Sequence, residues 1–300
     1  MKILISGSHG LIGSRLVREL EGDGHQVARL VRSTPQPGSA DVQWDIDAGT
    51  IDGAALEGFD AVIHLAGENL FGRWTDTKKR KIRESRVKGT SLLSGALAGL
   101  TRKPGVLVSA SAMGIYGDRG DEELPETAEP GTGFIPEVVA SWEAAADPAR
   151  EAGIRVVHTR FGLVMDPDGG TLGTMLTPFR LGLGGPVGSG RQYFSWVALD
   201  DVIGVVRFAL DHEELEGPVN VVAPESVTNG EFTRTLGSVL GRPTIFRVPR
   251  LPVQLAMGDL AGELFGSIRP VPERLQQAGY AFRWPTLEPA LRHMLGKGNE

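Results

Sequence analysis

Residues 2–22 read KILISGSHGLIGSRLVRELEG, and the fold turns on them. KILIS is a short aliphatic and β-branched run, the pattern of a strand buried within a sheet. GSHGLIG follows with no spacer, and LIGSRLVRELEG then repeats apolar residues at helical spacing. Strand, turn and helix in that order put Gly7, Gly10 and Gly13 at the bend. Gly7 permits the tight turn, Gly10 lets a pyrophosphate approach the backbone, and Gly13 lets the helix pack close to the strand. The helix N-terminus turns unpaired N–H groups and the positive end of its dipole toward the same point. Ser8, His9, Leu11 and Ile12 complete the loop as candidate contacts. A glycine triplet alone says little, but with a strand before it and a helix after it the stretch predicts a dinucleotide site.

The next strand, HQVARLVR at 25–32, bears on which dinucleotide. A carboxylate at its end would suit a ribose 2′-hydroxyl, whereas an arginine suits a 2′-phosphate. Arg32 stands there with Ser33 beside it and no acid. Arginine grips phosphate through paired charge-assisted hydrogen bonds. This selects NADP(H) over NAD, the alternative being a solvated surface arginine.

Further apolar runs follow at 60–67 (DAVIHLAG), 105–111 (GVLVSAS), 155–164 (RVVHTRFGLV) and 217–223 (GPVNVVA). Helical stretches lie between the earlier ones, notably TDTKKRKIRESRVKGTSLLSGALAGL and FIPEVVASWEAAADPAREAG. Strands alternating with helices predict an α/β protein whose parallel sheet is covered on both faces. The expected fold is a Rossmann-type doubly wound parallel sheet with a smaller, mostly helical C-terminal lobe. Residues 1–165 and about 190–223 would form the NADP-binding domain, and 166–189 with 224–300 the small substrate domain. In that lobe, TNGEFTRTLGSVLG and LPVQLAMGDLAGELFG are expected to be helical.

The motifs also carry a resemblance. GxxGxxG, HLAG and the serine-rich turn before IYG resemble the extended short-chain dehydrogenase/reductase superfamily, which includes nucleotide-sugar epimerases and dehydratases. Within it, WD at 44–45, LAGENL at 65–70, RWTDTKKRKIRESR at 73–86, SASAMGIYG at 109–117 and RFGLVMDPDGG at 160–170 are similar to one atypical subgroup. Its members end in a small C-terminal domain of unknown function, which PERLQQAGYAFRWPTLEPAL resembles. The resemblance implies that Leu65, Ala66 and Gly67 line the adenosine-ribose side and that Ser109 borders the nicotinamide. It also implies a cofactor-facing Arg86, with the rest of KKRKIR a solvated helix face. Glu68 would bond ribose or backbone, or serve as a further polar group in the site.

Against that background one silence stands out. The superfamily places a tyrosine, and a lysine four residues later, on the helix after the serine turn. The tyrosine moves the proton, and the lysine lowers its pKa because a nearby cation favours the phenolate. In GFIPEVVASWE the two slots, aligned on Glu143, hold Ile135 and Val139. The three tyrosines, Tyr116, Tyr193 and Tyr280, are followed four positions later by Gly120, Val197 and Trp284, so no shift of alignment restores the pair. Ser111 fits the substrate-orienting serine. Tyr116 is either a substitute proton donor or a structural tyrosine tying down the loop. Arg191, in GSGRQ, is either a contact for negative charge on the substrate or a surface arginine.

The remaining features mainly exclude. A net charge of −6 argues against a general nucleic-acid binder. The chain has no cysteine, which removes disulfides and thiolate metal sites. No His and carboxylate cluster has metal spacing, so no metal is expected. His64 reads as a core histidine, and Trp142 and Trp196 as packing residues. No apolar run approaches the roughly 18 residues of a spanning helix, and no secretory signal opens the chain. A cytoplasmic protein with no membrane partner, monomeric or homodimeric, is the expectation. Two functions stay open: an NADP-dependent oxidoreductase or epimerase of atypical mechanism on a small carbonyl or sugar-like substrate, or a catalytically silent NADP(H)-binding sensor.

Overall fold

The opening strand sits in the middle of an eight-stranded sheet, as its apolar composition requires. The structure, a computed structural model, describes residues 1–70, 72–249, 258, 262 and 265–298. In chain order the first elements are β1 (Lys2–Ser6), α1 (Leu11–Gly22), β2 (Gln26–Val31), β3 (Val42–Asp45), β4 (Thr50–Ile51), β5 (Ala61–His64) and α2 (Asp76–Ala98). Then come β6 (Val106–Ala112), β7 (Glu123–Leu124), α3 (Phe134–Ala144), α4 (Asp147–Glu151), β8 (Arg155–Phe161), β9 (Leu163–Asp166) and α5 (Gly170–Arg180). The chain continues through β10 (Trp196–Ala198), α6 (Leu199–Asp211), β11 (Gly217–Val221), α7 (Asn229–Leu240), β12 (Arg269–Pro270), α8 (Glu273–Gln277) and α9 (Leu287–Met294).

The sheet order is β11-β8-β6-β5-β1-β2-β3-β4, parallel throughout except for the β3–β4 edge pair. Order reverses at β1, so the loops after β1 and β5 open a crevice at the carboxyl ends of the strands, where such sheets bind ligands. Ile3, Ile5, Val108 and Val157 pack with Leu16 and Leu20 of α1 and Val202 and Val206 of α6 on one face. On the other, Leu4, Val62, Leu107 and Val156 pack with Leu93 and Leu97 of α2. Fully burying one such side chain stabilises by roughly 1.5–3 kcal/mol, so these two layers hold the sheet. A third cluster, with Phe232, Leu236 and Leu291, belongs to the smaller lobe of α5, α7 and α9.

Three expectations need adjusting. RVVHTRFGLV is two strands, β8 and β9, because Gly162 is where the chain leaves the main sheet to pair with β10. A Cβ at Gly162 would lie 2.6 Å from the Ser195 carbonyl oxygen, so only glycine allows that crossing. FIPEVVASWEAAADPAREAG is broken into α3 and α4, with Pro148 in the first turn of α4, where its missing N–H costs nothing. β3 and β4 are additional strands. The helical reading of LPVQLAMGDLAGELFG falls largely outside the described residues.

Candidate functional site

Gly7 adopts φ +69°, and a Cβ there would meet the Leu65 carbonyl at 2.8 Å and the Ala66 nitrogen at 2.9 Å. The β1 turn is thus pressed against the turn after β5. Gly13 is tighter still, for its Cβ would sit 2.2 Å from the Gly7 carbonyl oxygen and 2.8 Å from Ser8 Cα. Helix α1 follows Gly10 with no side-chain cap and no acid in its first turn. Its N-terminal N–H groups and dipole are free to receive an anion.

These groups open into a cleft of about 480 Å³. Gly7, Ser8, His9 and Gly10 form one wall, and Arg32 and Ser33 the end of β2. Ala66, Gly67 and Glu68 come from the β5 turn, with Trp44, Ile46 and Ser85 beside them. Among the described residues Glu68 is the one acid of the lining, and Lys78 Nζ, 2.7 Å from its Oε1, holds its carboxyl below the usual range. Cradle, helix terminus and Arg32, which among the described residues has no carboxylate within salt-bridge distance, together fit an adenine dinucleotide with a 2′-phosphate. Leu11, Ile12 and Leu65 pack against the core, and Leu11 also lies beside Gly169 and Gly170. Arg86 stands behind Gly67, donating from Nη1 to the carbonyls of Glu68 (3.1 Å) and Ile82 (3.3 Å), with its guanidinium 5.0 Å from the Trp142 ring. Burial lowers its pKa to about 10, partly offset by Glu68.

Under α2 and α3 the sheet carries two polar rows, which follow from strand register. Leu4, Val62, Leu107 and Val156 form an apolar row. Two residues further along, the same face presents Ser6, His64, Ser109 and His158. Two further again it presents Ser111, Arg160 and Asn220. In the first polar row Ser6 Oγ accepts from the amides of Leu65 and Ala66 at 3.0 and 3.2 Å and lies 2.7 Å from His64 Nδ1. With both lone pairs used, the serine proton goes to Nδ1 and leaves Nε2–H for Thr90 Oγ1 at 3.0 Å. Thr90 also accepts from Trp142 Nε1 at 2.9 Å. Burial pushes His64 down to about 4, so it is a neutral core histidine. Ser109 is fully buried in this row, and neither its hydroxyl nor His158 Nδ1 has a partner among the described residues.

The second polar row is the more chemical one. Ser111 Oγ donates to Glu143 Oε1 at 2.5 Å, while Arg160 grips both oxygens of that carboxylate, from Nε and Nη2, at 2.9 Å each. Burial pushes Glu143 up, but the hydrogen bonds and charge of Arg160 outweigh it and the carboxyl ends below its usual range. Arg160 Nη1 also donates to Tyr116 Oη at 2.8 Å, and Tyr116 donates to Asn220 Oδ1 at 2.7 Å. Tyr116 has no exposed surface, and desolvation raises its pKa. Both sides of its hydroxyl are taken. Ile135 and Val139 are buried in an apolar cluster with Ile115 and Tyr116.

Arg191 lies apart, exposed at the edge of a second cavity of about 720 Å³ with Arg234, Arg247, Asp121 and Thr233. Thr233 is fully buried and its hydroxyl has no partner among the described residues.

The structure therefore gathers the glycine loop, Arg32, Ser33 and the 66–68 turn into one cleft. It sets Ser109, Ser111 and Tyr116 in the polar rows and Arg191 in another cavity. Sequence reasoning passed over Arg160 as a partner of Glu143. The clue was an arginine inside the buried strand RVVHTRF, where a charge needs a carboxylate.

A central parallel sheet reversing at β1, with a glycine cradle at the reversal, defines an α/β dinucleotide-binding protein. A sequence profile of the NAD dependent epimerase/dehydratase family matches residues 3–223, and one of a domain of unknown function (DUF1731) matches 248–294. The chain belongs to that epimerase/dehydratase family. An epimerase family protein of Mycobacterium bovis is 40% identical over 292 residues, covering 96% of each chain. Human epimerase family protein SDR39U1 is 35% identical over 300 residues, covering 98% of this chain and all of that one. A crystal structure of human SDR39U1 (isoform 2) with NADPH superposes with TM-score 0.89 at 33% identity over 99% of both chains. A nucleoside-diphosphate sugar epimerase structure from Corynebacterium glutamicum gives TM-score 0.81 at 36% identity, over 99% of this chain and 58% of that one.

Proposed function

We propose that this protein binds NADP(H) in the glycine-loop cleft and exchanges hydride with a small carbonyl or sugar-like substrate without a tyrosine–lysine pair. The NADPH in human SDR39U1 and the Arg32–Ser33 end of β2 support the cofactor. The observation that carries the chemistry is the Ser111–Glu143–Arg160 constellation at the carboxyl end of β6. When bound, the nicotinamide supplies or accepts the hydride.

Ser111 commits its proton to Glu143, which leaves its lone pairs to accept a hydrogen bond from a substrate hydroxyl. In the oxidative direction the alcohol proton passes to Ser111 Oγ as the serine proton moves to Glu143. In reduction a protonated Glu143 returns it by the same bridge. Because Arg160 keeps Glu143 below the usual carboxylate range, the protonated form is scarce near neutrality. Reduction should therefore accelerate as pH falls, and a general acid so seldom loaded makes for slow chemistry. Arg191, in the cavity it shares with Arg234 and Arg247, would hold a negative group of the substrate.

The test is single-turnover oxidation of bound NADPH against a panel of carbonyl compounds. Ser111→Ala should abolish turnover and Tyr116→Phe should leave it. Tight NADPH binding with no turnover on any compound would favour the second reading, a silent NADP(H) sensor. That reading rests on one observation, the apolar burial of Ile135 and Val139.

A further inference from the structure

The smaller lobe carries a surface that the dinucleotide cleft does not use. Among the described residues, Leu181 (69% exposed), Leu183 (59%), Ile245 (77%) and Phe246 (52%) stand out into solvent. They lie on two segments that run side by side. Val187 and Val248 form a parallel bridge, Val248 N donates to the Pro186 carbonyl, and Gly188 N donates to the Val248 carbonyl, both at 3.0 Å. A methyl at Gly182 would touch the Pro243 ring at 3.8 Å. The four apolar side chains therefore belong to one patch.

The charge around that patch is the reverse of the rest of the chain. Residues 169–199 and 232–249 hold five arginines and no aspartate or glutamate, in a protein of net charge −6. Arg180, Arg242 and Arg247 are exposed next to the apolar tips, and among the described residues none has a carboxylate within salt-bridge distance. Contiguous exposed apolar surface in a soluble domain marks an interaction site. Apolar tips ringed by unpaired arginines match a surface whose interior is hydrocarbon and whose face is anionic. Binding along such a surface scales with apolar area and with attraction to anionic headgroups, and requires no spanning helix. Among the described residues no helix is long and apolar enough to cross a membrane.

We propose that this patch is a peripheral docking surface for an anionic lipid bilayer. Leu181, Leu183, Ile245 and Phe246 enter the headgroup layer, while Arg180, Arg242 and Arg247 meet the phosphates. The cavity of Arg191 opens beside it, since Ile245 and Arg247 belong to the patch and also line that cavity.

The experiment is co-sedimentation of the full-length protein with vesicles of pure phosphatidylcholine or of phosphatidylcholine with phosphatidylglycerol. Binding should be at least about tenfold tighter to the anionic vesicles and fall with added salt. Ile245→Asp with Phe246→Asp should abolish it, and Arg180→Glu with Arg242→Glu should weaken it, while NADPH affinity stays unchanged in both variants. Failure to sediment with either vesicle would overturn the proposal. So would undiminished binding by the double aspartate variant. A concentration-dependent dimer in lipid-free buffer, dispersed by the same variant, would assign the patch to a second copy of the chain instead.

Discussion

The glycine loop after β1 and helix α3 stand at the same carboxyl edge of the sheet, yet they encode their chemistry in different material. In the loop it lies in the backbone. Gly7 and Gly13 are defined by what a side chain would strike, so the cradle depends on what those two positions lack. In α3 it would lie in side chains on a helix whose burial needs only an apolar face. Ile135 and Val139 satisfy that face as well as any catalytic pair. The lesson is that a backbone-coded site persists with the fold, whereas a side-chain-coded one can be exchanged while the fold stands.

The sharpest attack on this contrast is Gly13→Ala. Overpacking of this kind costs about 1–3 kcal/mol or more, and the methyl would fall 2.2 Å from the Gly7 carbonyl oxygen. Calorimetric titration should show NADPH binding largely lost, together with a lower thermal midpoint. Retained affinity would mean that the loop is not held as described.

Next, because it leaves the cofactor cleft intact and is read on stability alone, is Glu143→Ala, which strands Arg160 in a buried site. Removing one partner of a buried ion pair costs roughly 3–5 kcal/mol, to be read by denaturant unfolding, while NADPH binding stays close to wild type. The pair also sets a pH signature. The folded carboxyl is depressed, so its contribution is full above the unfolded pKa of about 4.3 and is lost as pH falls through the lower folded value. Acid unfolding of a Glu143→Met, Arg160→Met double variant should lack that limb.

Arg32→Asp is expected to move coenzyme preference from NADPH toward NADH. A hydrogen bond to a charged group is worth about 1.5–3 kcal/mol, roughly one to two orders of magnitude in relative affinity. Unchanged selectivity would place the 2′-phosphate elsewhere. The smallest effect belongs to Tyr116→Phe. Unfolding should show a loss of about 1–2 kcal/mol from the unsatisfied Asn220 acceptor, with single-turnover rates preserved. A collapse of rate would make Tyr116 a proton donor and break the contrast outright.

Much of the fold was legible because β1 and β5 are each followed by a punctuating glycine or small residue and then a helix. The cradle was legible for the same reason, with its glycines fixed relative to strand and helix. Three things were not. Gly162 reads as an ordinary glycine in RVVHTRFGLV, because the Ser195 carbonyl that demands it comes from a distant segment. β3 alternates over only four residues, VQWD, too few for a period to emerge. The Ser111–Glu143–Arg160 grouping depends on which residues of β6 and β8 lie side by side, and register is a property of the folded sheet. Tyr116 was readable in two ways until its hydroxyl was found between Arg160 and Asn220.

Asn220 joins more than its neighbours in the row. One side of its amide receives the Tyr116 hydroxyl, and the other gives hydrogens to the carbonyls of Leu124 and, in the tail, Val271. The stretch from Tyr116 to Leu124 and the tail at Val271 are thus knotted through one side chain on β11, the last strand of the main sheet in chain order. Trimming the chain after residue 245 would untie that knot from the far end. The two matched regions should melt as a single body rather than in succession.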